Sequence, residues 1–292
     1  GLMLFFLADH MDVQLGYMFL ATVVPGLVLA VLYVVYLLVR TAIDPSAAPR
    51  VTETEPIPAL RFAIYVVRSL ALPLLLVFLV LGSIVAGLAT PTQSSSVGAA
   101  GAILLMVLNR SLSFRLFREI VEATALMTAM VFLIVMAATV FSYVFIYLDG
   151  SSVVTDAIDG LGLGRWGTLL FILGMIFVMG FFIDWIEITV IVLPIVSPAL
   201  AALDFSDYIG VPGLSMLWIA VLVALNLQAS FLTPPFGFAL FFLKGAAPPE
   251  VRLEQVYRGV VPFVALQIAG MALVLVFPLL ATWLPVSALG SP

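Results

Sequence analysis

The stretch Asn226-Leu-Gln-Ala-Ser-Phe-Leu-Thr-Pro-Pro-Phe-Gly237 decides the fold. Apolar residues run on both sides of it, from Leu214 to Ala224 and from Phe238 to Leu243, which places it at membrane depth. A helix cannot pass unbroken through Pro234-Pro235, because neither proline donates an amide hydrogen and each ring crowds the carbonyl four residues back. The carbonyls of Ser230 and Phe231 are therefore expected to lose their usual partners. In hydrocarbon an unpaired carbonyl costs several kcal/mol, so such a break persists only where it is buried in protein or lines a watery cavity. Hydroxyls at Ser230 and Thr233 and amides at Asn226 and Gln228 lie beside it. Neutral oxygens gathered in this way suit a small hard cation. The alternative is a proline kink whose carbonyls neighbouring helices re-satisfy.

Working outward, the 292 residues are 64% hydrophobic and 9% charged, with a mean hydropathy of +1.29. That composition belongs to a polytopic, all-α membrane protein. There is no cysteine, which excludes disulfides and thiolate metal sites, and a single histidine, His10, which excludes the usual zinc and di-iron sets. His10 stands with Asp9 and Asp12 in a hydrophilic connection and reads as a loop residue. The chain opens at Gly1 with no basic region before its first apolar run, so it lacks the look of a signal peptide and reads as the later part of a longer protein.

Windows of about 20 apolar residues mark spans near Tyr17 to Val39, Ser69 to Leu88, Val97 to Leu108, Ala123 to Tyr147, Leu214 to Leu243 and Val260 to Leu284. Residues 166 to 203 form a longer apolar region interrupted at Asp184-Trp-Ile-Glu187. Between Asp149 and Asp159, Val153, Val154, Ala157, Ile158 and Leu161 recur at helical spacing, as in a helix lying on the membrane surface. If Gly1 to Gly16 is outside, the inside loops hold ten of the eleven Lys and Arg residues and the outside segments only Arg165. That bias sets the orientation and leaves the C-terminus extracytoplasmic. Both ends of 166–203 then face outside. The region makes either two full passes with Asp184 and Glu187 in a cytoplasmic turn, or a re-entrant hairpin with a tip that stops partway. Its halves are short, and Gly174, Gly180, Pro194 and Pro198 weaken them as continuous helices, which favours the hairpin. A carboxylate at membrane depth needs a cavity or a partner, which marks Asp184, with Thr189 as a further lining residue. Thr90-Pro91-Thr92-Gln93 reads either as a polar gate or as a tight turn between two spans.

Three segments in this order, Gly87-Leu-Ala-Thr-Pro-Thr-Gln-Ser-Ser-Ser-Val-Gly98, Met179-Gly-Phe-Phe-Ile-Asp-Trp-Ile-Glu-Ile-Thr-Val-Ile-Val-Leu-Pro194 and Asn226 to Leu240, resemble the large permease subunit of tripartite ATP-independent periplasmic (TRAP) transporters. The nearest branch is the mannitol/chloroaromatic or 2-oxo-acid type. The resemblance implies an elevator-type fold of two inverted repeats, each with a re-entrant hairpin and a broken helix. Residues 1–68 would be the end of the first repeat, one transmembrane helix and a cytoplasmic linker. Residues 69–292 would be the second repeat, with hairpin 166–203 and broken helix 214–243. The first hairpin, with its share of the ion and solute sites, would lie outside this chain. Gly180, Asp184, Ser230, Phe231, Thr233 and Gly237 are then expected at a sodium site, with the Ser230 and Thr233 hydroxyls as side-chain ligands. Thr189, Asn226, Gln228, Pro234 and Pro235 are expected along the solute path.

The expected function is sodium-coupled import of a small organic anion across a bacterial inner membrane. No cofactor is implied beyond sodium as coupling ion. The resemblance implies two protein partners: a small four-helix membrane subunit and an extracytoplasmic solute-binding protein. No phosphate-binding loop occurs, in keeping with ion-driven transport, and nothing points to nucleic acid. The rivals are a channel or structural assembly subunit, and an intramembrane enzyme. The latter has only Asp184 and Glu187 to offer as an acid–base pair.

Overall fold

A computed structural model of the protein describes residues 2–45, 58–234, 240, 243–244, 247–248 and 251–290. Among the described residues there are helices and connections and no strand. Five helices are long and apolar enough to cross a membrane, or six if one bent pair counts as a span. The first elements are α1 (Leu2–His10), α2 (Leu15–Ile43), α3 (Ala59–Val85), α4 (Pro91–Leu108) and α5 (Phe114–Tyr147). Then follow α6 (Gly150–Gly160), which meets α7 (Gly164–Met179) at 119°, α8 (Trp185–Glu187), a π-helical turn (Ile188–Val192) and α9 (Leu193–Ala201). The chain ends with α10 (Ser206–Ile209), α11 (Ser215–Phe231), α12 (Leu253–Val276) and α13 (Leu279–Leu289). It divides into two compact units, residues 1–36 with 130–292, and residues 37–129.

The larger unit is built around α11. Every residue from Leu217 to Leu227 is buried, as expected of a helix that is apolar on all sides. Its N-terminal end is fixed by aromatic edges. Trp166, at the start of α7, packs against Phe205, Tyr208 and Trp218 with ring centroids 4.8, 4.9 and 6.2 Å apart. The Trp218 indole N–H donates to the Val274 carbonyl at 3.0 Å, and the Tyr208 hydroxyl lies 3.1 and 2.9 Å from the carbonyls of Leu275 and Val276. These are carbonyls at the end of α12, where Pro278 supplies no continuing N–H. The apolar run Val260 to Leu284 is thus two helices, broken at Phe277-Pro278. Glycine lets α12 approach α2: a Cβ at Gly270 would overlap the Leu29 side chain.

One sequence expectation changes here. His10 ends a helix, with its ring nitrogen 3.0 Å from the Phe6 carbonyl, and the same helix buries Leu7 and Ala8 with Met11 just beyond. The stretch after Asp149 does form the expected helix, α6. It buries Ile158 in the main core and packs against α9.

In the smaller unit α3 and α4 form a helical hairpin. Thr90 caps α4 reciprocally with Gln93, its amide donating to Gln93 Oε1 at 2.9 Å and its hydroxyl accepting from the Gln93 amide at 3.3 Å. Pro91 sits in the first turn, where no N–H is needed. The motif is a well-capped turn between α3 and α4. Ser94 is fully buried and meets Ser83 at 2.8 Å, while Gly98 lets Val80 approach.

Candidate functional site

Helices α7 and α11 run side by side in the same direction. Their N-terminal ends meet at Trp166 and Trp218, and their C-terminal ends meet at Gly180 and Ser230. Between these points the Asn226 side-chain amide donates to the Leu173 carbonyl at 2.8 Å. Asn226 and Ser230, four residues apart, share one face of α11, which is turned toward α7, and Thr233 follows just past the helix end. Gln228 is exposed, and two residues from Asn226 it lies on a nearly opposite face. The structure therefore brings Asn226 together with Ser230 on the α7 side and leaves Gln228 out.

At the C-terminal end of α11 the hydrogen bonding is fuller than the two prolines alone suggest. The helix ends at Phe231, three residues before Pro234. The Ser230 carbonyl accepts from the Thr233 amide at 2.9 Å, and the Leu232 amide donates to Ala229 at 3.2 Å. The Ser230 carbonyl is thus not orphaned: the last turn tightens and supplies its own donor, an end that helices commonly adopt. Both hydroxyls act as donors to carbonyls, Ser230 to Leu227 at 3.0 Å and Thr233 to Ala229 at 2.9 Å. Their lone pairs, and the second lone pair of each carbonyl, are still available as acceptors. Ser230 is buried and Thr233, Phe231 and Pro234 are partly so. Pro235 and Gly237 lie outside the described residues.

Opposite this end, α7 terminates at Met179, and the turn 180–184 hangs from its last carbonyls. Gly180 bonds back to Ile176, and the amides of Phe182 and Ile183 both reach the Met179 carbonyl at 2.9 and 3.0 Å. Asp184 occupies the N-cap position of α8 in an extended conformation, with no side-chain capping bond. One oxygen of Asp184 and one of Glu187 are shielded from solvent with no hydrogen-bond partner among the described residues. Glu187 therefore joins Asp184 as a buried acceptor, a role that its position in the sequence did not distinguish from a solvated turn. Thr189 is fully buried, and its hydroxyl donates to the Trp185 carbonyl at 2.6 Å. It sits in the π-helical turn, whose widening precedes Pro194, a residue without an N–H for the Val190 carbonyl. The outer side of the turn packs on α1 and α5, with Phe6 against Trp185 at 6.4 Å and Ala138 beside Ile186 and Val190.

With 16 residues in α7 and 17 from Trp185 to Ala201, each arm measures about 24–26 Å at 1.5 Å per residue, below the ~30 Å of a hydrocarbon core. A cavity of about 420 Å³ lies between α7, α11 and α12, lined by Leu170, Leu173, Phe177 and Met271 with Asn226 as its one polar side chain. It offers an anion no cationic partner. No group of three or more His, Cys, Asp or Glu gathers among the described residues, so the acceptors at this site are mainly hydroxyl and carbonyl oxygens.

Comparison with known proteins adds the family. The chain is 27% identical over 273 residues to the ectoine TRAP transporter large permease protein TeaC of Halomonas elongata, covering 93% of this chain and 60% of that one. It is 27% identical over 282 residues to the sialic acid TRAP transporter large permease protein SiaM of Vibrio cholerae, covering 96% and 62%. Against the C4-dicarboxylate TRAP transporter large permease protein DctM of Pseudomonas aeruginosa it is 26% identical over 284 residues, covering 96% and 60%. The chain thus spans about three fifths of the length of these relatives. The family model of the tripartite ATP-independent periplasmic transporter DctM component matches residues 1–280, and the chain belongs to that family of large permease proteins.

Proposed function

We propose that the protein is the permease of a secondary transporter in which sodium, bound between the 180–184 turn and the C-terminal end of α11, organises the path of a small organic anion. One observation carries this reading: two helix C-termini, those of α7 and α11, meet at Gly180 and Ser230. Each helix end bears roughly half a negative charge, and the available acceptors there are hydroxyl and carbonyl oxygens. Thr233 and Ser230 supply the side-chain oxygens, Phe231 and Gly237 backbone oxygens, and Asp184 negative charge from the turn. Each sodium ion carried inward across −100 mV releases about 2.3 kcal/mol, enough to drive uptake without ATP. The relatives are named for ectoine, sialic acid and C4-dicarboxylates, solutes that share a carboxylate, and an organic acid is the class we assign here. Thr189, Pro234 and Pro235 remain our candidates for the solute path. Asn226 serves first as a tie to α7, and Gln228 would contribute only from the exposed face. The short arms of residues 166–203 support a re-entrant hairpin with both ends outside. A small membrane subunit and an extracytoplasmic solute-binding protein complete the assembly in this reading.

Sodium-titrated uptake by the complete transporter in proteoliposomes tests the site. Thr233→Val keeps the shape and removes the hydroxyl oxygen. A lost ligand should weaken sodium binding by about 1–3 kcal/mol and raise the half-saturating sodium roughly 5- to 150-fold, with Thr233→Ser near the parent. A well-folded Thr233→Val transporter with unchanged sodium dependence would sink the site.

A further inference from the structure

The glycine at position 180 is not there for its backbone. Its φ of −65° and ψ of −8° suit any residue, so what it provides is closeness. A Cβ at this position would overlap both the Cβ and the Oγ of Ser230. Because the Cβ is involved, no rotamer of Ser230 relieves the overlap. Nor can the surroundings yield easily: Ser230, Leu227, Ala229 and Ile176 are all at most 1% exposed, and well-packed interiors do not absorb an added methyl. Helix α7 cannot back away without stretching the buried Asn226–Leu173 bond. The turn that carries Asp184 hangs directly from this point through the bonds of Phe182 and Ile183 to Met179. A displacement at residue 180 is therefore passed to the turn.

We propose that Gly180 and Ser230 form a steric gauge: hydrogen at one position and a side chain no larger than serine at the other let the hairpin turn seat on the last turn of α11, and this seating sets the transporter's sodium affinity by fixing where Asp184 stands. Gly180 and Ser230 act here as positioning residues. The inference rests on the sodium reading above and adds to it a requirement for bulk, which is separable from any requirement for oxygen.

The two requirements are separable at residue 230. Ser230→Ala removes the oxygen and keeps the seat. Ser230→Thr keeps the oxygen and adds a methyl beside Gly180. In sodium-titrated uptake by the complete reconstituted transporter, the gauge predicts that Ser230→Thr, although it keeps the oxygen, still raises half-saturating sodium about 5-fold or more, as overpacking costs of 1–3 kcal/mol imply. Gly180→Ala should do the same. Ser230→Gly, introduced into that background, should return the value to near that of Ser230→Gly alone. Gly180→Ala indistinguishable from the parent would overturn the gauge, as would a double variant no better than Gly180→Ala. Should Gly180→Ala fail to yield folded protein, Ser230→Thr decides, and a half-saturating sodium within about 2-fold of the parent overturns the gauge. If uptake proves independent of sodium in every protein, the sodium reading fails on its own. The gauge is then read from the maximal uptake rate of the same variants.

Discussion

Asn226 offers the sharpest test of how the hairpin is held. Its amide Nδ2 donates to the Leu173 carbonyl at 2.8 Å, and the residue is 1% exposed. Asn226→Ala deletes that bond, worth about 0.6 kcal/mol on average and up to ~1.7 between membrane helices. It also enlarges the apolar cavity at whose wall the residue stands, so the total comes to about 1–2 kcal/mol. Asn226→Asp is nearly the same shape yet should be worse. It replaces the donor with a carboxylate oxygen facing a carbonyl, and an ionised carboxylate at membrane depth costs about 2.5–3.5 kcal/mol. The assay is heat-step loss of monodisperse purified protein. At roughly 2–4 °C per kcal/mol, the alanine variant should lose about 2–8 °C at its midpoint and the aspartate variant roughly twice that. The aspartate penalty should shrink toward pH 5, where a protonated acid can donate to the same carbonyl. An aspartate variant as stable as the parent, or milder than alanine at pH 8, would refute the argument that a buried donor ties α11 to α7.

Two further outcomes follow from the other end of the same helices. Trp218→Phe loses the N–H bond to Val274 and part of the packing with Trp166 and Phe205, and should cost about 1–3 kcal/mol against ~3–5 for Trp218→Ala, read by the same heat-step assay. Equal losses would place the energy outside the indole. Asp207, outside the spans, is held below the ordinary carboxylate range, chiefly by its hydrogen bond from Arg165. A depressed folded value stabilises above the unfolded value near 3.9 and is lost as pH falls through the folded one. Any gap in thermal midpoint between the parent and Arg165→Gln should thus be present at pH 7 and close as the pH drops below about 4. A gap that widens on acidification contradicts the pairing.

The sequence made the long helices readable because each approaches or exceeds the width of a bilayer and carries its apolar residues in one run. Pro234-Pro235 announced the break in α11, since a missing N–H is a local property. What the prolines could not reveal is that the helix closes itself earlier, with the Thr233 amide turned back onto Ser230. Helix α1 escaped notice because nine residues carry too little apolar length to stand out. The break at Phe277-Pro278 was read through for a related reason: both pieces are apolar, and one proline is tolerated within many membrane helices. The contacts of Gly180 with Ser230 and of Asn226 with Leu173 span about fifty residues and involve a hydrogen atom and a backbone carbonyl. Neither leaves a pattern in the one-dimensional chain, whereas Thr189 and Asp184 could be marked by polarity alone.

Parallel packing of α7 and α11 has an electrostatic consequence that weighs on function. Parallel neighbours place like ends together, and here the two C-termini touch. Taking half a negative charge on each, about 6 Å apart in an effective dielectric of ~20, they repel by roughly 0.7 kcal/mol. Antiparallel packing would reverse that sign, as it does for α11 and α12, where Trp218 near the start of one meets Val274 near the end of the other. A monovalent cation about 4 Å from both ends would be drawn to each by roughly 2 kcal/mol in the same medium, more than offsetting the repulsion. Two shielded carboxylate oxygens, on Asp184 at the end of the turn and on Glu187 in α8 just beyond it, add to the negative side. In the proposed reading, an arrangement that is mildly unfavourable when empty and favourable when filled would make seating of the 180–184 turn depend on the ion, as coupling between ion and solute requires.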